Sequence, residues 1–167
     1  CITGQTYRNL EIIISDNCSP GPETEIVVRE FMARDPRIRY YRQETNKGPT
    51  HNFEFVLEKA TGEYFMFAAD DDEWKDTYIE KCLHEFSKND SLVLCYSEAA
   101  KKDSISQQES ILTSDITTAG MRKLSGVKKF LLNQHRNIEF YGLMKADVAR
   151  SYKFKNFFGE DNTFVLF

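Results

Sequence analysis

The chain has 167 residues, 41% of them hydrophobic and 29% charged, which is enough for one domain with a real core and is the balance of an ordinary globular fold. Its formal net charge of −4 comes with no basic block, so a nucleic-acid partner held by phosphate contacts has no support, and no apolar run approaches the roughly 20 residues of a membrane span. Thirteen Phe and eight Tyr point to aromatic core filling and a ring-lined cleft, while Cys1, Cys18, Cys82 and Cys95 lack C-x-x-C spacing and read as free thiols in a reducing compartment rather than a disulfide frame or zinc site.

Leu10-Glu11-Ile12-Ile13-Ile14-Ser15 is a β-branched strand, and Asp16-Asn17-Cys18-Ser19-Pro20-Gly21 is its turn. A helix is expected from about Glu23 to Arg34, with Val27 and Phe31 one turn apart and Asp35-Pro36 as its stop. Arg37 to Arg42 alternates as a strand does, and Asn46-Lys47-Gly48-Pro49 breaks it. The next helix carries Phe53, Leu57 and Ala60 on one face and ends at Gly62.

Tyr64-Phe65-Met66-Phe67-Ala68-Ala69 then reads as a buried strand that runs straight into Asp70-Asp71-Asp72. Three adjacent carboxylates repel one another and lose hydration if covered, so a cation or a hydrogen-bonded ligand gives them a reason to be together. The plainer alternative is a solvated turn with an Asp cap for the following helix. That helix turns Ile79, Leu83 and Phe86 inward, and Ser91 to Tyr96 is a further strand. Strand and helix in alternation predict a parallel sheet covered on both faces. If the strands starting at Leu10 and Tyr64 are parallel, Asp16 and the acid run share one edge of the sheet, where open α/β sheets bind ligands.

From Lys101 to Thr118 the chain is polar and reads as a loop or an exposed hairpin, placed to act as a lid if it borders a cleft. A helix resumes from Gly126 to Asn133, Ile138 to Met144 reads as a strand, and Ala146 to Arg150 as a short helix. Near the end, Gly159-Glu160-Asp161 sets an acid pair between aromatics, at a helix start.

Four stretches in this order resemble glycosyltransferase family 2: Gln5 to Asn17, Asn46 to Pro49, Ala60 to Trp74, and Gly159-Glu160-Asp161. The resemblance implies the GT-A fold, an α/β nucleotide-diphospho-sugar transferase architecture with a mostly parallel sheet and helices on both faces. It implies one domain over 1–167, with 1–98 as the nucleotide-binding part and 99–167 on the acceptor side. Asp16, with Asn17 beside it, matches the acid that meets the nucleotide base or ribose. Asn46 and Gly48 match the loop before the helix along the nucleotide, and His51 stands where members often carry a basic residue, either touching ligand or lying on the surface. Asp70 to Asp72 match the metal-binding D-x-D motif, with Asp72 favoured for the metal and Asp70 or Asp71 toward ribose or metal. Asp161, after Glu160, matches the catalytic base. Two departures stand out: the position where members commonly open the motif with an acid is Ala69 here, and the family's first strand and base-contacting loop precede anything in this chain. A core fragment is therefore expected, with that strand absent or its place filled by another segment or chain.

The implied reaction is inverting transfer of a sugar from a UDP-, dTDP- or GDP-sugar to a glycan, lipid-linked or small-molecule acceptor, aided by Mg²⁺ or Mn²⁺. It belongs to polysaccharide or cell-envelope assembly in the cytoplasm, at or near the inner face of the membrane, and a homodimer is a further expected partnership. Such chemistry needs a cation held by hard oxygen ligands where charge grows on the leaving diphosphate, and a separate base across the cleft for the acceptor hydroxyl. Two other readings stand beside it: a non-catalytic member that binds nucleotide or a partner, and a two-metal nucleotidyltransferase. Against the latter is the absence of a phosphate-cradling glycine loop. Without the resemblance, Asp16 reads as a turn residue, Glu160 and Asp161 as a solvated helix start, and Trp74 as packing beneath a loop.

Overall fold

The alternation in the sequence folds into strands β1 (Ile12–Asp16), β2 (Ile38–Arg42), β3 (Tyr64–Phe65), β4 (Leu94–Cys95), β5 (Ala99–Lys102), β6 (Glu109–Leu112) and β7 (Leu143–Lys145). Between them lie helices α1 (Glu23–Met32), α2 (Pro49–Lys59), α3 (Tyr78–Lys88) and α4 (Ala146–Ser151). The computed structural model describes residues 2–103, 106, 108–112, 121 and 138–151. The helix expected from Gly126 to Asn133 lies outside them.

Among the described residues the expected parallel pairing is found between β1 and β2, in register Ile12 to Ile38 through Asp16 to Arg42. The other three central strands run in the order β3-β7-β4, with β7 antiparallel to both neighbours. β7 is thus a late segment that supplies the ladder partner for two earlier strands. It is also shorter than expected, because residues 138–141 form turns and pairing begins only at Leu143. The polar stretch after Ala99 becomes the antiparallel hairpin β5–β6, the exposed hairpin that its composition suggested.

Among the described residues no ladder joins β1 to β3, and side chains bridge the two pieces instead. The Glu11 carboxylate accepts from the backbone N–H groups of Thr61 and Gly62 and from the Thr61 hydroxyl, and it pairs with Arg39. Asn52 in α2 donates from Nδ2 to Ser15 O at 3.1 Å, and its Oδ1 accepts from the Ser15 hydroxyl at 2.6 Å. Charge-assisted bonds of the Glu11 kind are roughly twice as strong as neutral ones, which suits a carboxylate standing in for backbone pairing.

The apolar run at Tyr64 is buried from both sides. Phe65 and Phe67 enter one cluster with Leu57, Phe140, Met144, Ala146 and Ala149, while Tyr64 and Met66 pack on a second built from Tyr78, Ile79, Cys82, Phe86 and Leu143. The period-2 alternation of side chains in an extended segment makes that division. Among the described residues only Tyr64–Phe65 is paired, so the ladder described is shorter than the run. In the first cluster Phe67 stacks on Phe140 with centroids 4.8 Å apart and planes 5° from parallel, and Phe53 meets both rings edge-on at 5.2 Å. The aromatic core expected from composition is this group. α3 turns Ile79, Cys82 and Phe86 inward, where burying an aliphatic or aromatic side chain is worth about 1.5–3 kcal/mol.

α1 is turned otherwise than its spacing suggested. Val28 is its buried residue, and Val27 and Phe31 remain 52% and 49% exposed.

Candidate functional site

β1 ends in Asp16, and the geometry there explains an acid inside the fold. Its carboxylate has no exposed surface. Oδ1 accepts from Ser19 N at 2.7 Å, which closes the turn, and Oδ2 accepts from the Tyr40 hydroxyl at 2.8 Å. Arg42 Nε stands 3.8 Å away, because the parallel register sets Asp16 opposite Arg42. Burial would raise the Asp16 pKa, but the Ser19 and Tyr40 hydrogen bonds and the Arg42 charge outweigh it and hold the carboxyl below its ordinary range. Burial, followed by the Asp16 contact, pushes the Tyr40 hydroxyl up to about 12. Asp16 therefore holds a turn, as the plainer reading had it, and is ionised at the carboxyl end of a strand.

The next residues knit two loops into one rim. Asn17 Nδ2 donates to Asn46 Oδ1 at 3.0 Å, Asn17 Oδ1 accepts from Lys47 N at 3.2 Å, and Asn46 Oδ1 also accepts from Gly48 N at 2.9 Å. The Cys18 thiol reaches Glu44 O at 3.5 Å, with Cys18 itself at φ 66°. Gly48 caps α2 at φ 86° and ψ 168°, a region that only glycine enters without strain, and Pro49 follows at the first helical position. Four residues singled out in the sequence, Asp16, Asn17, Asn46 and Gly48, thus come together at the end of β1. His51, in the first turn of α2, is half-buried, and its Nδ1 is shielded from solvent with no hydrogen-bond partner among the described residues. A buried polar atom of that kind is completed by a ligand or a water.

Asp70, Asp71 and Asp72 are all exposed, with a turn at Asp70 and Asp71, and the chain then passes Trp74, packed on the second core cluster, into α3. Among the described residues no three His, Cys, Asp or Glu side chains gather as a metal cage. The donor set nonetheless suits Mg²⁺ or Mn²⁺, which take one or two carboxylates and complete their shell with water and phosphate oxygens. Glu160 and Asp161 lie outside the described residues.

Two residues at the site were not anticipated. Tyr40 and Arg42 are two apart on an alternating strand and share a face, so the pattern of Arg37 to Arg42 carried the signal. Which face met Asp16 depended on the register.

Comparison with known proteins adds an independent finding. Residues 1–152 match the family model described as glycosyl transferase family 2. The chain is similar to the GalNAc(5)-diNAcBac-PP-undecaprenol beta-1,3-glucosyltransferase of Campylobacter jejuni, 27% identical over 97% of this chain and 51% of that protein. An uncharacterized glycosyltransferase of Haemophilus influenzae is 28% identical over 97% of this chain and 61% of its own length. The UDP-Glc:alpha-D-GlcNAc-diphosphoundecaprenol beta-1,3-glucosyltransferase of Escherichia coli is 32% identical over 56% of this chain and 36% of that protein. The chain spans about half to three-fifths of the length of the first two relatives.

Proposed function

Because the chain belongs to glycosyl transferase family 2, we propose that it transfers a sugar from a nucleotide-diphosphate donor to an acceptor hydroxyl with inversion, dependent on a divalent cation. The observation that carries this reading is the hydrogen-bonded rim of Asp16, Asn17, Asn46 and Gly48 at the carboxyl end of β1, in a chain whose match to the family covers residues 1–152. Asp16, ionised and buried, fixes the turn that carries Asn17 to the nucleoside, and the amide groups of Asn17 and Asn46 border the same place. His51 Nδ1 offers a further partner to the bound nucleotide. Asp72 and Asp71 would hold Mg²⁺ or Mn²⁺, whose chemistry is to stabilise charge on the departing diphosphate. Asp161 takes the proton from the attacking hydroxyl, with Glu160 beside it. The two relatives whose names state an acceptor act on undecaprenol-diphosphate-linked sugars, which supports a lipid-linked acceptor and a role in cell-envelope assembly. Among the described residues no helix is long and apolar enough to cross a membrane.

Calorimetric titration with UDP, with and without Mn²⁺, tests the reading. Tighter binding in Mn²⁺ that disappears in Asp72→Ala is expected; UDP affinity indifferent to both the metal and that substitution would overturn the metal role. Asp161→Asn should keep binding and slow transfer by about 10²–10⁴-fold, the range for loss of a general base. Unchanged turnover would remove Asp161 from the mechanism.

A further inference from the structure

Gln5 is the most deeply buried polar side chain described, at 0% exposure, and both ends of its amide are used. Nε2 donates to Lys75 O at 2.8 Å, and Oε1 accepts from Ile79 N at 3.1 Å. Thr6 continues the contact: its N–H donates to Asp76 O at 2.8 Å and its hydroxyl to Glu80 Oε2 at 2.8 Å. Two consecutive residues are thereby hydrogen-bonded to residues 75–80, the stretch that leaves Asp70-Asp71-Asp72 and enters α3.

The location gives these bonds a purpose. The first N–H groups of any helix lack intrahelical acceptors, and Thr77 at the cap of α3 makes no side-chain capping bond. Ile79 N is one of those groups, and Gln5 supplies its acceptor from 74 positions away in sequence. Lys75 O, which receives Gln5 Nε2, also receives Tyr78 N at 3.0 Å, so the first turn of α3 is closed around the glutamine. Gln5 is itself anchored toward β1 and β2, since Arg37 donates to Thr3 O at 2.9 Å and to Arg8 O at 3.4 Å. On the other flank of the acid run, Glu11 holds Thr61 and Gly62. The segment bearing the acids is gripped before β3 and again at the start of α3, both times by residues that lead into β1.

We propose that Gln5 is a positioning residue, a remote N-cap of α3 that sets the acid turn Asp70-Asp71-Asp72 relative to the rim of Asp16, Asn17 and Asn46. The proposal rests on the reading of that turn as the cation site. Gln5 touches no reacting atom; it acts through the backbone of Lys75 to Ile79.

The test uses Gln5→Leu and Gln5→Glu, with amide hydrogen exchange over residues 66–79 and UDP titration with and without Mn²⁺. Gln5→Leu should speed exchange at residues 70–79 by about tenfold or more, leaving β1, β2 and α2 unchanged, as local opening after loss of a buried cap requires. The Mn²⁺-dependent gain in UDP affinity should fall by about tenfold while metal-free UDP affinity is retained. Gln5→Glu keeps the acceptor for Ile79 N but can donate to Lys75 O only as the neutral acid, whose formation burial favours. Its Mn²⁺-dependent binding should therefore recover relative to wild type between about pH 8 and about pH 6. Wild-type exchange in Gln5→Leu would overturn the proposal, as would a uniform rise in exchange with metal-free and metal-dependent affinity falling together. If Gln5→Leu does not fold, the Gln5→Glu pH profile decides, and a flat one refutes the clamp. If wild-type UDP binding ignores Mn²⁺, the cation reading falls, and exchange at residues 70–79 by itself then upholds or overturns the cap.

Discussion

Tyr40→Phe removes one hydroxyl and leaves the packing of the ring, which makes it a clean probe of the Asp16 carboxylate. That carboxylate has no exposed surface, accepts from Tyr40 at 2.8 Å and from Ser19 N at 2.7 Å, and has Arg42 Nε 3.8 Å away. A hydrogen bond to a charged group contributes about 1.5–3 kcal/mol, so a loss of about 2 kcal/mol at pH 7 is expected, with Arg42 limiting the damage. In a domain of this size that amounts to a fall in Tm of about 4–8 °C. The pH dependence follows from the depressed Asp16 pKa. The carboxylate's stabilising contribution is present above the unfolded value near 3.8 and is lost as pH falls through the lower folded value. Losing Tyr40 moves the folded value upward, so the variant begins to lose stability at higher pH on acidification. The gap between wild type and variant then narrows once Asp16 is protonated, because the hydroxyl no longer meets a charge. Urea unfolding of both proteins across pH 7 to pH 3 reads this out. A difference below about 0.5 kcal/mol at pH 7, or one independent of pH, would refute the assignment of Tyr40 as a charge-assisted partner of Asp16.

Gly48→Ala places a β-carbon on a residue at φ 86° and ψ 168° and should cost about 1–3 kcal/mol, with UDP affinity falling because the loop bearing Asn46 must shift; denaturant midpoints and calorimetry check both. Phe140→Ala empties a site 1% exposed between Phe53, Phe67 and Tyr141 and should destabilise by about 3–5 kcal/mol, measured by thermal unfolding. The phenol of Tyr40, raised from 10 to about 12 by burial and by Asp16, contributes stability that is complete below pH 10 and lost as pH rises through about 12. Burial raises Tyr64 and Tyr78 as well, so spectrophotometric titration of the folded protein should show several late-ionising tyrosines, and Tyr40→Phe should remove the phase centred near pH 12.

Much of this architecture was legible because local patterns carry local structure. Three successive isoleucines, the Gly-Pro pair at residues 48–49 and the i, i+4 spacing of Phe53 and Leu57 mark β1 and α2 whatever surrounds them. The residues that meet at the end of β1 were legible for a related reason: Asp16, Asn17, Asn46 and Gly48 lie at the ends of such elements, where turn chemistry restricts residue type. α1 was only half legible. Val27, Val28 and Phe31 all suit an apolar face, and the contact with the sheet decided that Val28 would be the buried one.

The sequence by itself determined the order of strands and helices, the α/β class and the placing of acids after a strand, since each depends on residues close together along the chain. Tertiary structure alone decided that β7 enters between β3 and β4, that Tyr40 and Arg42 meet Asp16, and that Gln5 caps a helix 74 positions away. Those choices turn on register and on which buried polar groups find partners. Both are settled only when distant segments compete for the same hydrogen bonds in the folded chain.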